Sequence, residues 1–168
     1  MKKHIIYIAA ALLMASCSKD AASEAQKEWI TLLNDGYLPE ADPAAEPKGY
    51  VVDEFWREKL AESLKKPENR NWYALMQMAV IEYAHGEVEG ALKFFKESVS
   101  VKENPWSYRN IAMIYRNEYQ DVEQAYTYMK KAFALNKTCR GILMDTATTY
   151  LQAGKYSIDG GISSQFIT

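Results

Sequence analysis

Apolar residues recur at helical spacing through the middle of the chain, and the pattern returns after a fixed step. Ala91 and Ala125 occupy equivalent places in two similar stretches, and we call the separation between them the repeat interval. Trp106 and Arg140 are separated by the same interval, and shortly after them the stretch Tyr108–Tyr115 matches the stretch Leu143–Tyr150 at a step one residue longer. Units of about 34 residues are typical of repeated helical hairpins. The pattern therefore predicts an all-α fold.

Each repeat consists of two predicted helices joined by a short turn. In the first unit, Leu75 and Ala79 share one helical face, and Gly86 ends that helix. The second unit shows the same order of apolar positions: Tyr108, Ile111, Ala112 and Tyr115, then Ala125, Met129, Ala132 and Phe133. A third unit begins over 140–152 and stays unfinished. The glycines that follow it, Gly160 and Gly161, each cost a helix about 1 kcal/mol relative to alanine.

This arrangement resembles the tetratricopeptide repeat, whose consensus is W-x2-L-G-x2-Y followed by a glycine turn. The matching positions are Tyr108, Ile111, Ala112 and Tyr115, and then Leu143, Thr146, Ala147 and Tyr150. The resemblance covers about half of the chain and implies a right-handed solenoid of helical hairpins, with about two and a half repeats. It also implies an N-terminal capping helix over the first repeat. The extra residue between Ala112 and Ala125 should lengthen the second turn.

The remaining segments divide the chain into regions. Residues 53–156 form the predicted repeat domain, including the capping helix, for which Asp53 is the N-cap and Phe55, Trp56, Leu60 and Leu64 form the apolar stripe. Residues 17–52 are predicted to be a lipid tether, a short helix near Trp29, and an extended, mobile proline-rich linker. Residues 157–168 are an irregular tail.

The N-terminus has the order of a secretory signal over residues 1–16: Lys2 and Lys3, an apolar run, then small residues before Cys17. The sequence LMASC resembles the lipobox of bacterial lipoproteins. That resemblance implies lipidation of Cys17 after cleavage and attachment to the membrane through acyl chains. Residues 18–20 are similar to the surface-export signal of Bacteroidetes lipoproteins. These features predict a location on the outer membrane, on its periplasmic or its surface face.

Composition and net charge limit the classes of function that the chain can have. Without residues 1–16 the chain loses two of its 20 basic side chains and none of its 22 acidic ones, so its net charge is about −4. Nucleic-acid binding requires a basic patch, and we expect no nucleic-acid partner. With Cys17 lipidated, Cys139 is the remaining cysteine and no disulfide can form. We predict no metal and no cofactor.

Candidates for catalysis are few. Beyond residue 16 the sequence has one histidine, His85, which we interpret as a polar residue closing a helix. Cys139 precedes a predicted helix and is interpreted as structural. Glu82, Glu87, Glu89 and Glu97 are assigned to solvated faces. A hydrolase that uses Cys139 or His85 is the least supported hypothesis, and we predict that the chain is not an enzyme.

The resemblance implies a groove lined by the first helix of each hairpin. Methionine and aromatic residues suit a peptide-binding surface, and Arg109 and Arg116, seven residues apart, share a face on which arginine can hold a carboxylate. The predicted groove residues are Tyr73, Met76, Gln77, Val80, Tyr83, Trp106, Arg109, Asn110, Met113, Arg116, Met144, Asp145 and Thr148. For Met76, Val80 and Met113, burial between helices is an equally good interpretation.

The leading hypothesis is a membrane-anchored, non-catalytic scaffold that binds a protein or peptide of the cell envelope. A second hypothesis is an accessory lipoprotein for glycan or nutrient capture, since the chain contains 12 tyrosines and four tryptophans that could stack on sugars. A third is a shortened, non-functional relative of a larger repeat protein, because the third repeat stops halfway. The sequence does not identify the partner or the oligomeric state.

Overall fold

The structure is a computed structural model that describes residues 19–155, with side chains from Lys27 onward. Its elements are α1 Lys19–Asp35, α2 Glu54–Ser63, a 3₁₀ turn Pro67–Asn69, α3 Trp72–Ala84, α4 Val88–Val101, α5 Pro105–Asn117, α6 Val122–Leu135 and α7 Arg140–Gln152. Residues 19–155 contain no strand, which confirms the predicted all-α fold. The predicted signal peptide, Cys17 and the irregular tail lie outside the described residues.

Polar side chains cap the N-termini of α2, α3 and α5. The carboxamide of Asn71 accepts hydrogen bonds from two main-chain N–H groups of α3, and Asn104 accepts one from α5. Pro105 is the first residue of α5, where its missing N–H leaves no hydrogen bond unmade. Asp53 accepts from the main-chain N–H of Trp56 over 3.3 Å, which confirms it as the N-cap of α2.

The turns between paired helices follow the sequence prediction. Gly86 ends α3 with a φ of +84°, a conformation that glycine adopts without the steric cost that other residues incur. The connection from α5 to α6, residues 118–121, is one residue longer than the connection 85–87 from α3 to α4. Gln120 supplies the left-handed residue there, with a φ of +54°. The extra residue therefore lengthens the second turn, as expected.

Helices that follow one another along the chain pack against each other. Helix α3 packs against α4 and α5 against α6, while α4 contacts α5 and α7 packs on α6. Small residues recur at these crossings and are at most 1% exposed: Ala79, Ala91, Ala112, Ala125 and Ala132. Because alanine has only a methyl group, two helices can approach closely there, and larger neighbours such as Ile111 and Met129 are buried around them.

Helix α2 packs on α3, as predicted, and buries Leu60 and Leu64. Phe55 departs from the predicted apolar stripe, because its side chain is 49% exposed. A charged contact adds to the packing. Nε and Nη2 of Arg57 donate to the two carboxylate oxygens of Glu82, each over 3.0 Å, and this hydrogen bonding raises the pKa of Arg57.

Two glutamates differ from the sequence prediction. Glu82 is 8% exposed, so its assignment to a solvated face was wrong. Its carboxylate is buried because Arg57 reaches it from α2, and a sequence pattern within α3 cannot show that contact. Glu97 is also partly buried, and it accepts a hydrogen bond from Nε of Arg70 over 2.8 Å. Both carboxylates attach the repeats to the residues that precede them.

Helix α1 is longer than the short helix predicted near Trp29. Trp29 and Leu32 are buried, and the ring of Trp29 meets that of Trp56 edge to face, with centroids 5.3 Å apart. Helix α1 therefore packs on α2 as part of the core. No helix within residues 19–155 combines the length and the apolar character required to cross a bilayer.

Candidate functional site

The predicted groove residues lie on α3, α5 and α7, with differing exposure. Tyr73, Met76, Gln77 and Trp106 are at most 4% exposed. Partly buried are Val80, Arg109, Asn110, Met113, Arg116 and Asp145, whereas Tyr83, Met144 and Thr148 are exposed. The groove is therefore closed over the first half of α3 and accessible toward the end of α3 and the middle of α5.

Residues 36–52, which we call the covering segment, close the first half of the groove. This segment contains one turn near Pro43 and is otherwise without helix or strand. The indole N–H of Trp72 donates to the carbonyl oxygen of Ala41 over 3.2 Å, and that of Trp106 donates to the carbonyl oxygen of Pro43 over 3.0 Å. Two tryptophans on different helices thus hold one extended stretch of main chain.

Further side chains of the repeats bind main-chain carbonyls along the covering segment. Asn71 donates to Leu38 over 2.8 Å, and Gln77 donates to Gly49 over 3.4 Å. Nε2 of His85 lies 2.8 Å from the carbonyl oxygen of Val52 and carries the proton in this contact. The segment therefore runs along α3 from its first turn to its last, held mainly through its backbone.

Two side chains of the covering segment strengthen this attachment. Leu38 is fully buried, and Glu40 forms an ion pair with Lys102 in which Nζ and Oε1 are 2.8 Å apart. The expectation of a mobile linker at residues 37–48 is corrected by these contacts. The segment is extended, as predicted, because its prolines exclude helix. It lies against the repeats because their polar side chains satisfy its carbonyls.

A largely buried polar cluster joins α1, α3 and the end of the covering segment. The hydroxyl of Tyr73 donates to Oε2 of Glu28 over 2.8 Å and accepts from Nε2 of Gln77 over 2.8 Å. Burial, and then the Glu28 carboxylate, raise the pKa of Tyr73 above its usual value. Oε1 of Gln77 is buried and has no hydrogen-bond partner among residues 27–155. Tyr73 and Gln77 thus join α1 to α3 within the closed part of the groove.

The two groove arginines contact α7. Nε and Nη2 of Arg109 each lie 2.6 Å from Oδ2 of Asp145. Nη1 of Arg116 donates to the hydroxyl of Thr149 over 3.2 Å. Both contacts hold α7 against α5, and the Arg109 guanidinium already has a carboxylate partner. The structure thus brings together two predicted groove residues, Arg109 and Asp145, in an ion pair within the chain.

The accessible part of the groove contains a cavity of about 210 Å³. Its walls come from the covering segment, α3, α4 and α5, and comprise Tyr50, Val80, Tyr83, Phe95, Arg109, Asn110, Met113 and Ile114. At its rim the hydroxyl of Tyr83 donates to Oε1 of Glu118 over 2.7 Å. Burial and this carboxylate raise the pKa of Tyr83. The cavity is mainly apolar, and Tyr83, Arg109 and Asn110 contribute polar groups to its lining.

The catalytic candidates lie at helix ends. His85 is the C-cap of α3, where it binds Val52 and lies 3.5 Å from a carboxylate oxygen of Glu54. Cys139 is the N-cap of α7 and is partly buried. Within residues 27–155, no group of three or more His, Cys, Asp or Glu side chains could hold a metal ion. These residues participate in helix ends and segment contacts.

A cluster of tyrosines lies between α5 and α6. Tyr115 and Tyr128 stack with centroids 5.6 Å apart and an interplanar angle of 8°. Nζ of Lys96 lies 5.4 Å from the centroid of Tyr115, and that of Lys131 lies 5.6 Å from the centroid of Tyr128. Because other rings and ammonium groups occupy these faces, the cluster offers little flat surface to a sugar.

Sequence reasoning missed several residues of this site, among them Trp72, Ala41, Pro43 and Tyr50. One signal was present, because Trp72 and Trp106 are one repeat interval apart and begin predicted first helices. The covering segment gave a weaker signal. Its contacts use carbonyl groups, which every residue has, and Leu38 is its one fully buried side chain.

Comparison with known proteins adds no assignment, since no protein-family model and no curated protein matches the chain.

Proposed function

We propose that this chain is a non-catalytic, lipid-anchored scaffold that binds an extended segment of a cell-envelope protein in the groove of α3, α5 and α7. One observation carries the proposal. The groove holds the covering segment in an extended conformation through side chains of two successive hairpins, which bond to carbonyls at Leu38, Ala41, Pro43 and Gly49. Side chains that bind main-chain carbonyls suit peptide recognition, since the affinity does not depend on one ligand side chain.

The scaffold is proposed to be tetratricopeptide-like. The repeat interval and the packing of α3 on α4 and of α5 on α6 support this assignment. Helix α7 would be the first helix of a third hairpin. Stacked hairpins form extended concave surfaces because each unit is rotated slightly relative to the last. Such a surface fits a ligand that is itself extended.

The anchor is proposed from the sequence alone. Cys17 would receive acyl chains after cleavage behind residue 16, and residues 18–20 would direct the protein to the outer membrane. Because one acyl chain binds a bilayer only weakly, two or three would make the attachment stable. The bacterium that produces the protein would be grown with a labelled fatty acid. The mass of the N-terminal peptide would then be measured by mass spectrometry. Label on Cys17, absent from Cys17→Ser, is expected. An uncleaved and unmodified leader would disprove the anchor.

The groove is tested by supplying the covering segment as a separate peptide. In one variant, residues 37–49 are replaced by glycine and serine over the same length, and a fluorescent peptide of residues 36–52 is titrated in. We expect saturable binding, measured by anisotropy. Two lost indole hydrogen bonds at about 1 kcal/mol each predict about 30-fold weaker binding in the Trp72→Phe/Trp106→Phe background. Equal affinity in that background would refute the proposed mode of binding.

A second form of the experiment avoids a variant that fails to fold. A protease site is inserted between Ala44 and Ala45, which are both exposed. The folded protein is then cut, and circular dichroism verifies that its helices persist. We expect excess free peptide to displace the cut end from the groove, measured by crosslinking between Pro43 and Trp106 positions. Failure of the peptide to compete at any concentration would count against a peptide-binding groove.

A further inference from the structure

The cavity between the covering segment, α3 and α5 has the size of one apolar side chain. Its volume is about 210 Å³, and an apolar cavity of about 150 Å³ in another protein accommodates benzene. Val80 and Met113 form apolar walls of the cavity. Tyr50, a residue of the covering segment, forms another wall. A leucine, methionine or phenylalanine side chain therefore fits, and burying it removes apolar surface from water on both sides.

The polar groups around the cavity indicate what else a ligand must carry. The Arg109 guanidinium is paired with Asp145, and the Tyr83 hydroxyl is bonded to Glu118. The carboxamide of Asn110 lines the cavity and has no hydrogen-bond partner among residues 27–155. A ligand in the cavity would therefore contact one amide group that is available for hydrogen bonding. The cavity lining contains no unpaired cation that would favour a carboxylate. Its inserted side chain should be neutral.

Asn110 corresponds to Gln77 when α3 and α5 are aligned on their N-caps, Asn71 and Asn104, or on their buried alanines, a register one residue shorter than the repeat interval. Each lies two residues before such an alanine, Ala112 in α5 and Ala79 in α3. Gln77 uses its amide to donate to the carbonyl of Gly49 in the covering segment. The same kind of side chain at the same place on the next helix is therefore oriented toward the groove and available for a carbonyl of a second extended strand.

We propose that the partner of this groove is an extended peptide that inserts one leucine, methionine or phenylalanine side chain into the cavity, while Asn110 donates to an adjacent main-chain carbonyl. This inference rests on the proposed function and specifies the ligand. The covering segment stays in place and Tyr50 forms one wall. The bound strand lies along α5 beside Tyr50 of the covering segment, so the two occupy neighbouring parts of one groove.

The test uses the full chain and amino acids capped as N-acetyl N-methylamides, which carry one side chain between two amide groups. Capped leucine, phenylalanine, glycine and glutamate are titrated while nuclear magnetic resonance follows the Met113 methyl group and the Asn110 carboxamide. We expect leucine and phenylalanine to shift both signals, with glycine and glutamate at least about tenfold weaker. Equal shifts from capped glycine, or no shift from leucine, would overturn the inference.

Variants locate the binding. Met113→Trp fills the cavity and should abolish the leucine shifts at Asn110, whereas Met144→Trp, on an exposed methionine of α7, should leave them unchanged. Asn110→Ala should weaken binding about fivefold and retain the methyl shift. If Met113→Trp does not fold, Val80→Phe replaces it. Unchanged leucine binding in the filled cavity would also overturn the inference.

The outcomes separate this inference from the proposed function. If the peptide of residues 36–52 binds its groove but capped leucine does not bind the cavity, the groove function stands and the side-chain specificity is wrong. If capped leucine binds while the peptide does not, the cavity is a small-molecule site, and the groove is no peptide-binding surface.

Discussion

Trp72 and Trp106 are separated by one repeat interval, and their indole N–H groups donate to carbonyls only two residues apart, at Ala41 and Pro43. One tryptophan lies in the first turn of α3 and the other in the first turn of α5. Both are at most 4% exposed. The position of the covering segment therefore depends on the spacing between the two hairpins as well as on the side chains of each hairpin.

Removing one indole donor should loosen the covering segment locally. In Trp106→Phe the carbonyl of Pro43 loses its partner, and we expect a loss of about 1 kcal/mol in the free energy of unfolding. Amide hydrogen exchange of residues 36–52 should become faster, while exchange within α3 and α4 stays the same. Denaturant titration and exchange mass spectrometry measure the two effects.

Trp29→Phe is the matched control, because Trp29 is equally buried in α1 and makes ring contacts with Trp56. It removes the same atoms from a different part of the core. We expect faster exchange in α1 and little change at Pro43. If Trp106→Phe leaves exchange of the covering segment unaltered, the indole contact does not hold that segment.

The helices and hairpin turns could be predicted from the sequence because their determinants are local. Asp53 caps α2 and Gly86 ends α3 through contacts made within a few residues. The path of the covering segment could not be predicted, since Pro43 and Gly49 are bound through carbonyl groups. The pairing of Arg109 with Asp145 joins residues 36 positions apart on different helices, and periodicity indicates a shared face without naming the partner.

The ion pair between Arg57 and Glu82 is predicted to stabilise the packing of α2 on α3. Side-chain exposure is 28% for Arg57 and 10% for Glu82, so Arg57→Met leaves a largely buried carboxylate unpaired. We expect a loss of about 2 kcal/mol, less than for a fully buried pair because Arg57 is partly solvated. The double variant Arg57→Met/Glu82→Met should lose less than the single variant.

Lys65→Met is the control, because it also removes one positive charge from an ion pair. Lys65 pairs with Glu62, and both side chains are about 70% exposed. Removing that pair should leave the free energy of unfolding nearly unchanged, because water solvates both charges. Urea denaturation compares the four proteins. A single variant at Arg57 that is as stable as the control would contradict the predicted role of the buried pair.

Charge exchange tests whether Arg109 holds α7. Arg109→Glu places a carboxylate beside Asp145, and we expect faster amide exchange in α7 and a loss of about 1 kcal/mol, since the side chains are 31% and 19% exposed. Adding Asp145→Arg should restore slow exchange. Lys155→Glu, opposite Glu123 in an exposed pair 3.6 Å apart, is the control and should have little effect. Failure of the double variant to recover would show that α7 is held by other contacts.

Buried tyrosines predict that stability falls at alkaline pH. Burial and the hydrogen bond to Glu103 raise the pKa of Tyr108 to about 12 from an ordinary value of 10.0. Because the folded protein retains this proton more strongly than the unfolded chain, the stabilisation is complete below pH 10 and is lost as the pH rises through about 12. One such group contributes a slope of at most about 1.4 kcal/mol per pH unit.

Tyr108→Phe should remove that part of the pH dependence, and Tyr37→Phe, at a tyrosine that is 43% exposed, is the control. Urea denaturation at several pH values between 10 and about 12 gives the slope for each protein, and ultraviolet titration of tyrosinate gives the pKa of Tyr108 by difference. Loss of the buried hydroxyl also removes the bond to Glu103, so Tyr108→Phe should be less stable than wild type at neutral pH and closer to it at high pH. A constant difference between the two proteins across this range would mean that Tyr108 titrates alike in the folded and the unfolded chain.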